Sequence, residues 1–351
     1  MKVLLTTPYE IWPANYGGAV RTVAIARALE RAGHAVALLS ANRSVPGFQS
    51  YRGFTTAGYF FNPFFVNELD RVIRGFCPDF IVAAFPYQAA MLIPIASRHR
   101  VPLVYDAHNI ETLRFARMNK PLQRRIVAFF EKRMLQNSSA VLCVSEAEAD
   151  YVRTHFKTPI ALLPNGVDIQ AAKPVTERDY EFCFFGALDY QPNLVALEFL
   201  RDQWSRIRAL HPSARLLLVG RNPPDWSDAI DGWVVAGEVA SVAKAISKAA
   251  ILLCPLSEGG GSRLKIIEAI ANGLLVVSTR FGAEGFESLE EEESIVITTL
   301  EEFVDAAVTR SLSPIDHPAI AATARRFDWN CLVEEIVTLG SVLKQKTPYS
   351  A

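Results

Sequence analysis

The chain has 351 residues, of which 50% are hydrophobic and 21% charged, and its formal net charge is −1. One compact core seldom serves a chain of this length, so we expect two domains. The composition is typical of a soluble globular protein and excludes a disordered chain. No apolar run reaches the roughly 20 residues that a membrane-spanning helix needs.

The net charge conceals an asymmetry between the two halves of the chain. Residues 1–170 contain 19 Lys and Arg against 12 Asp and Glu, a balance of +7, whereas residues 171–351 contain 17 against 25, a balance of −8. A basic first half indicates an anionic partner, such as a membrane surface or an acidic acceptor. Unequal surface charge without a function is the alternative.

The first half alternates short apolar strands with helical patterns. Residues 2–7, KVLLTT, are predicted to form a strand and not part of a signal peptide, because the apolar run is short and ends in a proline-containing loop. Apolar residues at helical spacing then predict a helix from Gly18 to Ala32, which Gly33 ends. Further strands are predicted at 35–40, 79–85, 102–108 and 140–146.

A second series of elements begins after the stretch from Ile160 to Lys173, which is the expected domain junction. Its predicted strands are 180–188, 214–220, 232–237, 250–256, 274–279 and 294–299, and its predicted helices are 194–210, 239–249 and 262–272. Apolar strands separated by helices predict parallel sheets that are covered on both faces. The predicted fold class is α/β, with two Rossmann-like domains facing each other across a cleft.

The number and spacing of the cysteines indicate whether the protein is in a reducing or an oxidising compartment. There are five, scattered along the chain and without the spacing of metal ligands, at Cys77, Cys143, Cys183, Cys254 and Cys331. An odd number within mostly apolar segments predicts buried free thiols in a reducing cytoplasm.

The stretch SEGGGSRLKIIEAIANG, Ser257–Gly273, combines a glycine-rich turn with the start of a helix. Bare backbone and helix amides suit an anion, and Arg263 and Lys265 add enough charge for a diphosphate. Glu268 could accept hydrogen bonds from vicinal hydroxyls such as those of a ribose. A glycine-rich turn beside a solvated basic face is the alternative. The candidate donor-binding positions in the turn are Glu258, Gly259, Gly260, Gly261 and Ser262.

The first half has two stretches of interest at strand ends. Gly17 and Gly18 lie between the first strand and the first helix, where a dinucleotide fold has its phosphate loop, although no GxGxxG is present. Arg21, one turn further on, could face the cleft. In YDAHNIET, His108 lies beside acidic and amide groups and could hydrogen-bond a sugar or take part in acid–base chemistry, although a structural role is equally open.

Other strand ends carry polar residues as well. Ser145 and Glu148 form a predicted capping box at the start of a helix. In the second half, FFGALDYQPN places Gly186, Asp189 and Asn193 at the end of that half's first strand.

Two stretches of the first half bear on partners. Residues 53–69 are dense in aromatic side chains, and residues 117–135 form a basic amphipathic pattern that carries Phe129 and Phe130. Such stretches can dock on anionic membranes; a buried loop and an ordinary surface helix are the alternatives. Nucleic acid is not expected as a partner, since no basic stripe interleaved with exposed aromatics and no reader motif occurs.

With these motifs located, the chain resembles the GT-B glycosyltransferases of the retaining "group 1" family, nearly from end to end. The motifs that carry the resemblance are YGGAVRTVAIARAL, YDAHNIET, VLCVSEAEAD, LLPNGVD, FFGALDYQPN and GGGSRLKIIEAIANGLLVVSTRFGAEGF. The closing FDWN and the long helix after it, to about Lys346, resemble the family's end, where the last helix returns to the first domain. The expected domains are 1–170 for the acceptor, 171–325 for the nucleotide sugar, and 326–351 for the returning helix.

The resemblance implies roles for individual residues. Glu268 matches the second glutamate of the family's EX7E motif, which holds the nucleotide ribose. Arg263 and Lys265 with the glycine turn match the donor diphosphate site. Gly17 and Gly18 match a loop near donor phosphate and acceptor, and His108 matches a histidine near the transferred sugar.

Two positions depart from the family pattern. The first glutamate of EX7E would lie eight residues before Glu268, where this chain has Gly260, and Glu258 lies two residues earlier. The arginine and lysine expected after Gly186 are absent. Arg263 and Lys265 are therefore inferred to supply that charge, as in a G-x-R-x-K subset of the family.

The resemblance implies sugar transfer from a nucleotide-diphosphate sugar to a glycan, a polysaccharide precursor or a lipid-linked acceptor, with retained configuration. No metal is expected, because no DxD-like acidic pair stands at a strand end, and no cofactor is expected besides the donor. A cytoplasmic protein, peripheral on the inner face of the cell membrane, fits the charge and cysteine patterns. The alternatives are a nucleotide-sugar 2-epimerase of the same fold and a non-catalytic sugar-nucleotide-binding protein.

Overall fold

The structure is a computed structural model that describes residues 1–14, 16–42, 44–52, 60–117, 120–169, 178–259 and 263–346. The chain forms two compact units. The first comprises Met1–Asn165 together with the last helix, and the second comprises Gly166–Asp328. The chain thus passes between the units at 165–166 and 328–329, close to the boundaries expected at 170 and 326.

The first unit is built on a seven-stranded parallel sheet with the order β3-β2-β1-β4-β5-β6-β7. Its strands are β1 (Lys2–Thr6), β2 (Ala35–Ser40), β3 (Gln49–Arg52), β4 (Phe80–Ala84), β5 (Leu103–Ala107), β6 (Ala140–Cys143) and β7 (Ile160–Leu162). Its helices are α1 (Gly17–Arg31), α2 (Pro63–Phe76), α3 (Ala89–Arg98), α4 (Glu111–Arg117), α5 (Pro121–Asn137), α6 (Glu146–His155) and α12 (Trp329–Lys346).

Helices cover both faces of this sheet. Val3 and Leu5 of β1 pack in one apolar cluster with α1 and α12, whereas Leu4 packs in another cluster with α2, α3 and α5. Side chains alternate between the faces of a strand, so a strand covered on both sides must be apolar at successive positions. This accounts for the continuous apolar run at the start of the sequence.

The second unit is built on a six-stranded parallel sheet with the order β10-β9-β8-β11-β12-β13. Its strands are β8 (Tyr180–Phe185), β9 (Leu216–Val219), β10 (Trp233–Gly237), β11 (Ala249–Cys254), β12 (Leu275–Thr279) and β13 (Ile295–Thr298). Its helices are α7 (Gln191–Leu210), α8 (Val242–Ile246), α9 (Leu264–Ala271), α10 (Phe303–Ser311) and α11 (His317–Thr323). The predicted fold class, α/β with two Rossmann-like domains, is confirmed.

The strand order of each sheet reverses once, between β1 and β4 in the first and between β8 and β11 in the second. Loops at the carboxyl ends of such neighbouring strands diverge and leave room for a ligand. The loop after β8 and the segment from β11 to α9 both lie at the reversal of the second sheet.

The cysteine prediction is only partly right. Cys143, Cys183 and Cys254 are buried free thiols, but Cys77 and Cys331 are exposed. Cys77 ends α2 in a left-handed conformation, so its side chain lies at a helix end and outside the core. In the part of the chain that the structure describes, no helix is both long and apolar enough to cross a bilayer.

Candidate functional site

The turn after β8 is bare backbone. Gly186 has a φ of +141°, which L side chains rarely adopt. A Cβ on Gly186 would lie 3.1 Å from Asn193 Nδ2 and 3.7 Å from Lys265 Nζ. A Cβ on Gly220, at the end of β9, would lie 1.8 Å from the carbonyl oxygen of Gly186. Glycine at 186 thus lets the Asn193 and Lys265 side chains approach the turn, and glycine at 220 lets the backbones of the two turns pack together.

Lys265 extends from α9 to this turn. Its Nζ donates a 2.8 Å hydrogen bond to Asn193 Oδ1, and Asn193 Nδ2 donates to the Ala187 carbonyl at 2.7 Å. The ammonium also lies 4.4 Å from the centre of the Phe184 ring. Because its hydrogen-bond partner is a neutral amide, the positive charge at the Gly186 turn is not neutralised by that partner.

The pKa of Lys265 is lowered from its ordinary value, first by burial and then by the neighbouring charge of Arg263. Loss of water around an ammonium costs free energy that a bound anion can recover. The electrostatics of the site therefore favour occupation by a negatively charged group.

Glu268 lies one helical turn after Lys265 on α9. Burial raises the pKa of Glu268 to about 7, and the charge of Lys265 acts in the opposite direction. Among the described residues, no group donates a hydrogen bond to this carboxylate. Both oxygens of Glu268 are thus available to accept hydrogen bonds from ligand hydroxyls.

Arg263 has different surroundings from Lys265. It immediately precedes α9, which begins at Leu264 and not at 262 as predicted. Its Nε donates to the Phe281 carbonyl at 3.2 Å, its guanidinium lies 4.5 Å from the Phe281 ring centre, and Nη2 lies 3.5 Å from Glu284 Oε2. The carboxylate of Glu284 therefore partly neutralises the positive charge of Arg263. The ammonium at the Gly186 turn is that of Lys265.

Only part of the predicted glycine turn is described. Glu258 is exposed, and Gly259 has a φ of +119°. A Cβ on Gly259 would lie 2.7 Å from Pro192 Cγ, so this loop packs closely against the start of α7. Gly260, Gly261 and Ser262 lie outside the described residues, and their assignment to the donor site stays a prediction.

In the first unit, a buried charged cluster joins α1 to the end of β5. Arg21 is 1% exposed and Asp106 2%. Arg21 Nη2 lies 2.8 Å from Asp106 Oδ1, and Nε lies 3.2 Å from both carboxylate oxygens. The remaining guanidinium hydrogen bonds go to the Leu163 and Pro164 carbonyls and to Asn165 Oδ1. The expectation that Arg21 faces the cleft is wrong, because its side chain is enclosed by these partners.

His108 is held on the other side of Asp106. Its Nε2 lies 2.9 Å from Asp106 Oδ2, and its ring lies 4.5 Å from that of Phe85. Burial alone would raise the pKa of Asp106, but the charges of Arg21 and His108 hold it well below its usual range. The carboxylate is thus ionised at neutral pH and fixes the orientation of the imidazole.

Gly18 and His108, which the sequence selected independently, lie together. A Cβ on Gly18 would lie 3.2 Å from His108 Nδ1 and 3.1 Å from both Phe85 and Tyr16. Gly17 and Gly18 open α1, and the Tyr16 side chain does not cap this helix. The free nitrogen of the imidazole therefore lies beside a helix N-terminus, an arrangement suited to a polar or anionic ligand.

The carboxylates of Glu131 and Glu148 hold the backbone at the start of α4. Glu131 accepts the amides of Glu111 and Thr112 at 2.7 and 2.8 Å, and Glu148 accepts the amide of Ile110 at 2.9 Å. Ser145 caps α6 by accepting the amide of Glu148, as predicted for half of a capping box. The hydrogen bond between the Ile110 amide and Glu148 joins residues 38 positions apart, so local spacing could not predict it.

Gln88 is a buried polar residue that was not anticipated from the sequence. Gln88 follows β4 and is fully buried, and within the described chain its Nε2 has no hydrogen-bond partner. A polar side chain just after an apolar strand, in AAFPYQAA, was the available signal.

The described residues also bear on metal binding. Over the described ranges, no three His, Cys, Asp or Glu side chains are arranged to hold an ion.

These features define an α/β protein whose second domain holds the ammonium of Lys265 at the Gly186 turn. The first domain matches the family model described as Glycosyltransferase Family 4 over residues 16–171, and the second matches Glycosyl transferases group 1 over residues 179–310. The chain belongs to the GT-B glycosyltransferases of the glycosyl transferases group 1 family. The predicted family is confirmed, and the protein is a glycosyltransferase.

Solved structures are similar in fold over almost the whole chain. Sucrose-phosphate synthase from Thermosynechococcus elongatus is 18% identical with a TM-score of 0.75, covering 99% of this chain and 100% of its own. Anabaena HepE in complex with UDP and glucose is 16% identical with a TM-score of 0.66, covering 99% of each chain. UDP-GlcNAc 2-epimerase from Methanocaldococcus jannaschii is 14% identical with a TM-score of 0.60, covering 97% of this chain and 99% of its own. A comparison with curated protein sequences gives no significant match.

Proposed function

We propose that this glycosyltransferase moves a sugar from a nucleotide-diphosphate sugar to a hydroxyl of its acceptor, with retained anomeric configuration and without a metal or cofactor. The observation that carries the proposal is the ammonium of Lys265 at the bare Gly186 turn. Glu268, one turn further along α9, supports it, because a carboxylate to which no described residue donates a hydrogen bond can accept hydrogen bonds from the vicinal hydroxyls of a ribose.

The chemical task of the second domain is to stabilise the leaving diphosphate. Negative charge grows on the diphosphate oxygen as the bond to the sugar lengthens. A fixed ammonium and nearby backbone amides favour that charge without reorganising during the reaction, and loss of one such donor typically costs about 10²- to 10³-fold in kcat. Lys265 is held in position by Asn193, so it meets the requirement for a fixed donor.

The proposed transfer needs no nucleophile from the enzyme. The bond between sugar C1 and the diphosphate oxygen breaks, and its electron pair goes to the diphosphate. The acceptor hydroxyl oxygen bonds to C1 on the same face, and its proton goes to the departing phosphate oxygen. We assign His108 to a hydrogen bond with the transferred sugar, because Asp106 fixes its ring and leaves Nδ1 beside Gly18.

The acceptor is proposed to be a glycan, a polysaccharide precursor or a lipid-linked molecule. We also propose a cytoplasmic location at the inner face of the cell membrane, in polysaccharide biosynthesis. The excess of Lys and Arg in residues 1–170 supports an anionic environment for the first domain.

The test is a thermal-shift screen with the glucose conjugates of UDP, GDP, ADP and dTDP. The donor with the correct base should stabilise the wild type by about 2.7 kcal/mol at 100 times its Kd. Lys265→Met should reduce that stabilisation to about 0.4 kcal/mol if affinity falls about 100-fold. Lys244→Met is the matched control, since Lys244 is an exposed lysine of the same domain. Equal stabilisation of Lys265→Met and the wild type would contradict the proposal.

Incubation of the wild type with the selected donor alone distinguishes transfer from epimerisation. An epimerase would convert the donor sugar to its C2 epimer with no acceptor present, which NMR detects directly. A transferase should form new glycosidic product only after acceptor is added, with the anomeric configuration of the donor.

A further inference from the structure

Helix α5 has a second apolar face that points away from the core. Leu122 is 68% exposed, Ile126 42% and Phe129 57%. Their spacing of four and three residues puts them on one side of the helix. The core side of α5 consists instead of Val127, Glu131, Met134 and Leu135, all buried. An ordinary surface helix has one apolar side, so the second side indicates a partner.

The exposed charge on α5 is entirely positive. Arg124, Arg125, Lys132 and Arg133 are exposed. The single acidic residue of the helix, Glu131, is 1% exposed and accepts the amides at the start of α4. The guanidinium of Arg133 lies 5.7 Å from the Phe129 ring centre. Apolar and cationic side chains thus share one outward surface.

The segment that enters α2 extends this surface. Phe60 stacks on Phe130 of α5 with ring centres 4.5 Å apart. Phe61 and Phe64, which follow directly, are 70% and 81% exposed. The Phe60 contact therefore fixes the start of this segment against α5, and Phe61 is the next residue along the chain.

A continuous series of ring contacts joins this surface to His108. Successive ring centres are separated by 5.2, 4.5, 6.1, 6.1 and 4.5 Å along Phe129, Phe130, Phe60, Tyr87, Phe85 and His108. The surface and the predicted sugar-binding histidine are thus parts of one aromatic assembly within the first domain.

We propose that the outer face of α5, together with Phe61 and Phe64, docks on an anionic phospholipid bilayer, and that the acceptor is a lipid-linked molecule taken from it. Exposed rings can enter the headgroup boundary while the surrounding Arg and Lys contact lipid phosphates. A second copy of the chain is a poor occupant, because a two-fold contact would oppose the same positive charges. The acceptor part rests on the proposed function, whereas the docking part does not.

The docking test is flotation of the full chain with vesicles of phosphatidylcholine alone and of phosphatidylcholine mixed with phosphatidylglycerol. The wild type should float with the mixed vesicles and not with the neutral ones. The triple variant R125Q/K132Q/R133Q should partition about 100-fold less, because each basic side chain at an anionic surface contributes roughly a factor of five. The double variant I126S/F129S should also lose most binding, whereas Leu312→Ser, a 62% exposed leucine of the second domain, should bind as the wild type does.

Three outcomes would overturn the docking proposal: no binding to either vesicle, equal binding to both, or wild-type binding by the two α5 variants. Sedimentation velocity provides a further check, because a dimer that I126S/F129S dissociates would assign the face to self-association. Donor-induced thermal shifts of the same variants should equal those of the wild type, which separates failure of docking from failure of the donor site.

The acceptor test uses radiolabelled donor and lipids extracted from bacterial membranes, reconstituted in the mixed vesicles. Label should pass into the chloroform–methanol phase with the wild type and much less with I126S/F129S. Label found solely in water-soluble product would overturn the lipid-linked acceptor while leaving sugar transfer intact.

Discussion

Replacement of Arg21 by Met should destabilise the first domain strongly. Arg21 is 1% exposed and its guanidinium bonds Asp106, two backbone carbonyls and Asn165. Removal of one partner from a buried ion pair leaves an uncompensated charge and costs about 3–5 kcal/mol. For a domain of this size the melting temperature should fall by on the order of 10 °C.

The pH dependence of this loss follows from Asp106. In the wild type, its pKa is depressed by Arg21 and His108 against the effect of burial, so its stabilising contribution is present above the unfolded pKa of about 3.9 and is lost as pH falls below that value. In Arg21→Met, burial acts with less opposition and the pKa of Asp106 rises. The difference in the free energy of unfolding between the wild type and Arg21→Met should therefore be largest at neutral pH and should shrink as acid protonates Asp106.

The assay is urea denaturation at neutral and mildly acidic pH. Arg27→Met is the control, because Arg27 is an exposed arginine of the same helix. The double variant R21M/D106N removes both charges and should recover most of the lost stability at neutral pH. The reasoning is refuted if Arg21→Met loses less than about 1 kcal/mol, or if R21M/D106N is no more stable than Arg21→Met.

Two further predictions concern the second domain. Gly186→Ala should fold with reduced stability and bind the donor at least about tenfold more weakly. The added Cβ would be strained at φ +141° and would lie 3.1 Å from Asn193 Nδ2. Titration calorimetry measures the affinity. Glu268→Gln should be more stable than the wild type at pH 8 but not at pH 4, because the raised pKa of about 7 means that native stability falls as pH rises from about 4.5 through 7. The same variant should lose the preference for a ribonucleoside diphosphate over its 2′-deoxy analogue, and an unchanged preference would remove Glu268 from the ribose.

Much of the fold follows from apolar patterns that are local in the sequence. Strand β2 has the predicted bounds, and α12 continues to Lys346, the last residue that the structure describes. Helix α3 was not predicted; Pro94 lies inside it, and proline usually argues against a helix interior. Strand β3 was not predicted either, since QSYR is polar and stabilised by pairing with β2 at the sheet edge.

The site could be predicted as residue types but not as contacts. The sequence grouped Arg263 with Lys265, yet the two side chains have separate partners at Phe281 and Asn193. Those partners lie 18 and 72 residues away in the chain, so helix spacing gives no information about them. The burial of Arg21 was missed for the same reason, because its carboxylate partner is 85 residues away.

The central claim is that Lys265 holds the donor diphosphate, and calorimetric titration of matched nucleotides tests it most directly. With the base selected by the thermal screen, the wild type should bind the nucleoside diphosphate about 100-fold more tightly than the monophosphate, which corresponds to the 1.5–3 kcal/mol typical of hydrogen bonds to charged groups. Lys265→Met should bind both with nearly equal affinity, and Lys244→Met should retain the preference. A Lys265→Met protein that still prefers the diphosphate as strongly as the wild type would contradict the account.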